Sequence, residues 1–137
     1  MNVFIDSGPL RALVSPHDQW RKKTLEILEQ LSQTSISYVT TDYVLSEVFT
    51  GLLGEKRLGY IKITKFNDLI FVKRFTRIEW VTQERFLKTK ALLLKVSKDK
   101  QWSFTDCTSY VIMKELKIKT IFTFDTHFKQ MGFTLLE

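Results

Sequence analysis

The chain is poor in the residues that usually betray special chemistry: of 137 residues, one is cysteine, two are proline, two are histidine and five are glycine. A lone Cys107 excludes an internal disulfide and any cysteine-based zinc site, and it fits a reducing compartment. So little glycine and proline excludes collagen-like and low-complexity chains. No apolar run approaches the roughly 18–20 residues of a membrane span. The opening residues, Met1 to Asp6, lack the basic segment and long apolar stretch of a signal peptide. A single domain over residues 1–137, soluble and cytoplasmic with no membrane partner, is therefore expected. There is no Walker motif and no G-x-G-x-x-G, so nucleotide-cofactor chemistry has no support. No G-x-S-x-G elbow is present either.

What is present is an ordinary globular composition, 44% hydrophobic and 26% charged, enough for a core without staples. The formal net charge of +6 is uneven: residues 56–100 hold 13 Lys/Arg against 4 Asp/Glu, and the rest of the chain is net acidic. A basic middle reads either as a solvated lysine-rich surface or as a footprint for a polyanion.

Hydrophobic patterning gives short apolar strands alternating with helices. Val3-Phe4-Ile5 reads as a buried strand, followed by a turn and a short helix over 9–14. Helical spacing runs from about His17 to Gln33, and Ser37–Thr40 is a β-prone strand. Thr41 is placed to cap a helix carrying Val44, Leu45, Val48, Phe49 and Leu52. A further helix is expected over 55–68, and a third strand at Leu69-Ile70-Phe71-Val72-Lys73. Residues 82–98 form a helix with a broad apolar face of Phe86, Leu87, Ala91, Leu93, Leu94 and Val96. Ser103 opens another helix to about Leu116. Thr120–Thr123 is a fourth strand, 125–131 a short helix, and Phe133–Leu136 a possible fifth strand. This alternation predicts an α/β architecture with a parallel sheet covered by helices on both faces. Ligands of such sheets sit beyond the carboxyl ends of the strands. Asp6 and Asp125 both lie just past strand ends, so they belong on the same edge.

Four carboxylates stand out: Asp6, Glu47, Asp106 and Asp125. Each has a structural reading as well. Asp6 suits a turn, Glu47 the edge of a buried helix face, and Asp125 a helix cap. Ser103-Phe104-Thr105-Asp106 matches a capping box. As a set they are more informative. Two like charges 4 Å apart cost about 4 kcal/mol at an effective dielectric of 20, so a cluster persists only if protonated or neutralised by a cation. Hard oxygen donors favour Mg²⁺ or Mn²⁺. A metal held this way at a strand edge activates water for phosphodiester hydrolysis.

Four segments carry a family resemblance: Val3-Phe4-Ile5-Asp6-Ser7-Gly8, Thr41-Asp42-Tyr43-Val44-Leu45-Ser46-Glu47, Ser103-Phe104-Thr105-Asp106-Cys107-Thr108-Ser109 and Thr123-Phe124-Asp125-Thr126-His127-Phe128. In this order and at these separations, the chain resembles PIN-domain ribonucleases, most of all the VapC-type toxins of toxin–antitoxin pairs. The resemblance implies a three-layer α/β/α sandwich with a parallel sheet of about five strands. It implies a Mg²⁺- or Mn²⁺-dependent endoribonuclease with an RNA substrate, a protein antitoxin and a homodimeric state. Asp6 and Asp106 would be the central metal ligands among one or two ions. Glu47 would complete the site or orient the water, and Asp125 would bind a second ion or act through water. Ser7 matches a Ser/Thr position that contacts the acids, and Gly8 stands where many relatives carry Ser or Asn. A non-catalytic PIN-like RNA-binding or interaction module is the alternative.

Cys107 reads as a buried small residue and not a nucleophile, His127 as a packing or surface residue in preference to a ligand or base, and His17 carries no specific signal. Trp102 and Phe104 border Asp106, as core cover or as an RNA base platform. Tyr60, Ile61, Ile63 and Phe66 fall where VapC-like relatives form their dimer and antitoxin groove. The charges of Lys56, Arg57, Lys62 and Lys65 suit RNA or an acidic antitoxin segment equally.

Overall fold

The strand β1 (Asn2–Ile5) forms the middle of a five-stranded parallel sheet of order β3-β2-β1-β4-β5. The computed structural model describes residues 1–55 and 58–136, so Lys56 and Arg57 lie outside the described residues. Val3, Phe4 and Ile5 are fully buried, as a strand covered on both faces requires. β1 pairs on one side with β2 (Ser37–Thr41), which pairs with β3 (Thr76–Glu79). On its other side it pairs with β4 (Thr120–Phe122), which pairs with β5 (Thr134–Leu135). The connecting helices are α1 (Ser7–Val14), α2 (Arg21–Leu31), α3 (Asp42–Leu53), α4 (Gly59–Asn67), α5 (Gln83–Val96), α6 (Phe104–Leu116) and α7 (His127–Gln130). Strand order reverses about β1, which puts the topological switch point between the carboxyl ends of β1 and β4. The expected sandwich architecture holds.

Local signals account for most element boundaries. The Thr41 hydroxyl accepts from the Val44 N–H at 3.1 Å and caps α3. Ser103 and Asp106 form the expected reciprocal capping box at the start of α6. α2 begins at Arg21, not at His17, because the Arg21 guanidinium turns back to the Ala12 and Leu13 carbonyls at 3.0 and 2.8 Å. It satisfies the open carbonyl end of α1.

Two expectations are corrected. The run Leu69–Lys73 is not a strand: Asp68–Val72 continues α4 as a π-helical turn, with Ile70 buried and Val72 67% exposed. Arg74 then takes a left-handed conformation (φ 53°), Phe75 stacks on Tyr38 at 5.1 Å, and the third strand begins only at Thr76. A short apolar run has the same pattern in a strand and in a helix end, so periodicity alone does not separate them. The broad apolar face of α5 is also not a core face. Phe86, Leu87 and Leu94 stay exposed, and Thr89 is the buried residue of this helix. α5 is instead tied down by Arg85, which pairs with Glu79 of β3 and Glu115 of α6 at 3.2 and 3.0 Å.

No helix among the described residues is long and apolar enough to cross a membrane.

Candidate functional site

The acids converge at the switch point. Asp6 directly follows β1, and its N–H donates to the Phe122 carbonyl at 3.0 Å, which keeps it in the sheet. It occupies the N-cap position of α1 but makes no capping bond with its side chain. The carboxylate is instead buried, 6% exposed, and its Oδ2 accepts from the Thr123 hydroxyl at 2.8 Å. Thr123 leaves the end of β4, and its hydroxyl oxygen also accepts from the Asp125 N–H at 3.0 Å. One threonine therefore ties together the two strand-end acids. Asp106 arrives on the first turn of α6, where the capping box fixes it: its N–H donates to Ser103 Oγ at 3.0 Å and its Oδ2 accepts from the Ser103 N–H at 3.4 Å. The capping reading and the site reading of Asp106 thus hold together. Glu47 projects from the middle of α3 and is exposed at the cleft, with the Ser7 hydroxyl beside it.

All four carboxylates line one open cleft of about 760 Å³, with Ser7, Gly8, Arg11, Ser103, Thr123 and His127 among its other walls. Their electrostatics show mutual pressure. Burial pushes the Asp6 carboxyl up to about 7; the Ser7 N–H and Thr123 hydroxyl oppose this, and the charges of Asp106 and Glu47 add to it. Partial desolvation inside the cleft also raises Glu47, with the Ser7 hydroxyl opposing and the charges of Asp106 and Asp125 adding. Asp106 is raised by burial and by Asp125.

Three residues enter the site that the motifs did not assign to it. Thr123 is legible in hindsight as a hydroxyl two residues before Asp125 at a strand end. Arg11, one turn into α1, is held by Glu55, which accepts from its Nε and Nη2 at 3.1 and 2.9 Å. His127 is the third. Asp125 Oδ1 accepts the His127 N–H at 2.9 Å, and the imidazole Nδ1 lies 3.3 Å from that same oxygen and 3.7 Å from Asp106 Oδ2. The tight turn after β4 sets the half-buried ring against the acids.

The remaining residues resolve in favour of structure. Cys107 is fully buried, and burial pushes its thiol up to about 11, which suits packing and not nucleophilic attack. Trp102 stacks on Tyr110 and its indole N–H donates to Gln130 Oε1 at 3.3 Å, while Phe104 packs between Tyr43 and Phe86. Lys62 is not free for a partner, because it pairs with Glu55. Gly8 has its own reason: a Cβ there would meet the Phe124 ring at 3.3 Å, so a side chain requires that ring to shift.

The donor set fits a hard divalent cation. Buried carboxylates that raise one another's pKa are relieved by positive charge, and one ligand atom each from Asp106, Asp125 and His127 lies within 4.8 Å of the others. His127 Nδ1 is buried with no hydrogen-bond partner.

A doubly wound parallel sheet with buried acids gathered at its switch point defines a class of α/β proteins that act on ligands at the carboxyl edge. Within that class, the chain belongs to the PIN domain family, which matches residues 3–134. Its fold is similar to that of VapC20 from Mycobacterium tuberculosis, a Sarcin-Ricin loop cleaving toxin (TM-score 0.83, 23% identity, 96% of each chain covered). It is also similar to VapBC2 from Rickettsia felis, solved bound to a DNA fragment from their promoter (TM-score 0.72, 14% identity, 98% and 97% covered). FitAcB from Neisseria gonorrhoeae is a third similar structure (TM-score 0.67, 14% identity, 100% and 97% covered). No curated protein sequence matches significantly.

Proposed function

We propose that this protein is a Mg²⁺- or Mn²⁺-dependent endoribonuclease, the toxin half of a toxin–antitoxin pair. The observation that carries the reading is the convergence of Asp6, Glu47, Asp106 and Asp125 from four separate elements on one cleft. Membership of the PIN family, whose members are typically nucleases, and the likeness in fold to VapC toxins support it.

When bound, a divalent ion supplies Lewis-acid charge and a nucleophilic water at neutral pH. Asp6 and Asp106 would hold the ion as central ligands, Asp6 oriented by Thr123 and Asp106 by the α6 cap. Glu47, exposed at the cleft beside the Ser7 hydroxyl, would orient the attacking water or complete the ligand set. Asp125, more exposed than Asp6 and Asp106, would bind a second ion or act through water. Arg11 stands at the rim paired with Glu55, where its half-exposed guanidinium would still add positive charge beside the RNA backbone.

The toxin reading includes a homodimer and a protein antitoxin. Leu53, Leu58, Tyr60 and Ile61, exposed at the end of α3 and along α4, supply apolar surface for such contacts, whereas Phe66 of the same helix is core. The test is incubation of purified protein with defined RNAs in Mg²⁺, Mn²⁺ or EDTA. Cleavage is expected with either ion and none with EDTA. RNA binding that persists in EDTA, with no cleavage under any condition, would overturn the nuclease reading.

A further inference from the structure

His127 stands in the cleft against two of the four acids. Its Nδ1 is shut off from solvent and has no hydrogen-bond partner. It points between two carboxylates, 3.3 Å from Asp125 Oδ1 and 3.7 Å from Asp106 Oδ2. Both lie within ion-pair reach of a protonated imidazole, but neither makes a hydrogen bond of the usual 2.7–3.2 Å. They suit another arrangement. Neighbouring ligands on an octahedral ion with bonds of 2.0–2.1 Å stand about 3 Å apart, and the three ligand atoms here all lie within 4.8 Å of one another. The backbone that carries the ring is also held in place. The His127 N–H is bound to Asp125, its carbonyl accepts from the Met131 N–H at 3.2 Å, and the next residue, Phe128, is fully buried.

We propose that His127 is a direct nitrogen ligand of the cation held between Asp106 and Asp125, and that it biases this position toward Mn²⁺ over Mg²⁺. Imidazole is a softer donor than carboxylate; Mg²⁺ keeps to oxygen and water, whereas later divalent ions accept nitrogen more readily. The inference rests on the divalent-cation reading of the cleft and adds a ligand to it.

The test is pulsed electron paramagnetic resonance on Mn²⁺-loaded protein, which detects a directly bound nitrogen through ¹⁴N modulation of the electron spin echo. Wild type and His17→Gln, altered at an exposed histidine far along the chain, are expected to show the ¹⁴N pattern. His127→Gln is expected to lose it. By calorimetry, His127→Gln should bind Mn²⁺ about tenfold or more weakly, with Mg²⁺ affinity changed much less. Labelling His17→Gln protein with ¹⁵N-histidine should replace the ¹⁴N pattern by that of ¹⁵N, a result independent of whether the His127 variant folds. Mn²⁺ bound with no nitrogen coupling in wild type would overturn the proposal and leave the cation site standing. No Mn²⁺ binding at all would overturn both.

Discussion

At the residue scale, the protein concentrates its conflict on Asp6. A carboxyl held at about 7 instead of its usual 3.8 represents about 4 kcal/mol of folding free energy opposed to its ionisation. Asp6→Asn removes that conflict. The variant is expected to abolish RNA cleavage and metal binding, yet to melt higher than metal-free wild type at pH 8; scanning calorimetry with EDTA checks this. Equal or greater cleavage by the variant in Mg²⁺ would contradict the assigned role of Asp6. Thr123 gives a second handle, because its hydroxyl serves Asp6 and Asp125 at once. Thr123→Val leaves a buried acid without its donor and should cost about 1–3 kcal/mol as well as metal affinity. Thr123→Ser should restore both, as measured by denaturant unfolding and metal titration. The four acids were legible in the sequence because they sit in recognisable motifs. Thr123, Arg11 and His127 were not, because their roles depend on where turns and helices aim them.

At the element scale, the informative segment is the one misread as a strand. Asp68–Val72 continues a helix, so its alternate residues do not share one buried face: Ile70 is core and Val72 is solvent-exposed. Ile70→Ala is expected to cost about 2–5 kcal/mol, and Val72→Lys to change stability by no more than about 0.5 kcal/mol. Urea midpoints of the two variants measure this; a large loss for Val72→Lys would mean that the segment is buried. The true edge strand, Thr76–Glu79, was missed because it is short and half polar, and its identity comes from pairing with β2. Capped elements were read correctly, α3 through Thr41 and α6 through Ser103, since a cap is a local hydrogen bond that sequence spacing encodes.

At the scale of the whole molecule, two sets of acids pull the pH dependence of stability in opposite directions. Asp6, Glu47 and Asp106 are raised, so their contribution is fully present below about pH 4 and is lost as pH rises, for Asp6 through about 7. Glu55, Glu79 and Glu115 are lowered by Lys62, Arg11, Arg77 and Arg85, so their contribution is present above their ordinary range and is lost as the solution turns acid. The metal-free protein is therefore expected to be most stable on the acid side of neutrality, near pH 5, and to melt progressively lower toward pH 8. Mg²⁺ or Mn²⁺ should reverse the fall at pH 8 by neutralising the raised set. Melting temperatures across this range, with and without the ion, provide the check. The basic middle also takes on a different meaning. Lys62, Lys73, Arg77, Arg85 and Lys88, five of the 13 basic residues of that segment, enter ion pairs among the described residues, so part of the basic charge organises the fold locally and the larger part remains for solvent or a partner.

The sequence alone determined the alternation of strands and helices, the capped helix starts and the acids past the strand ends, because hydrophobic periodicity, caps and strand-end positions are local properties of the chain. Only the tertiary structure decided that Thr123 joins Asp6 to Asp125, that Arg11 and His127 stand at the cleft, and that an apolar run after α4 is a helix end. Those outcomes depend on sheet order and on which partners come within a few ångströms, and no spacing within one segment encodes them.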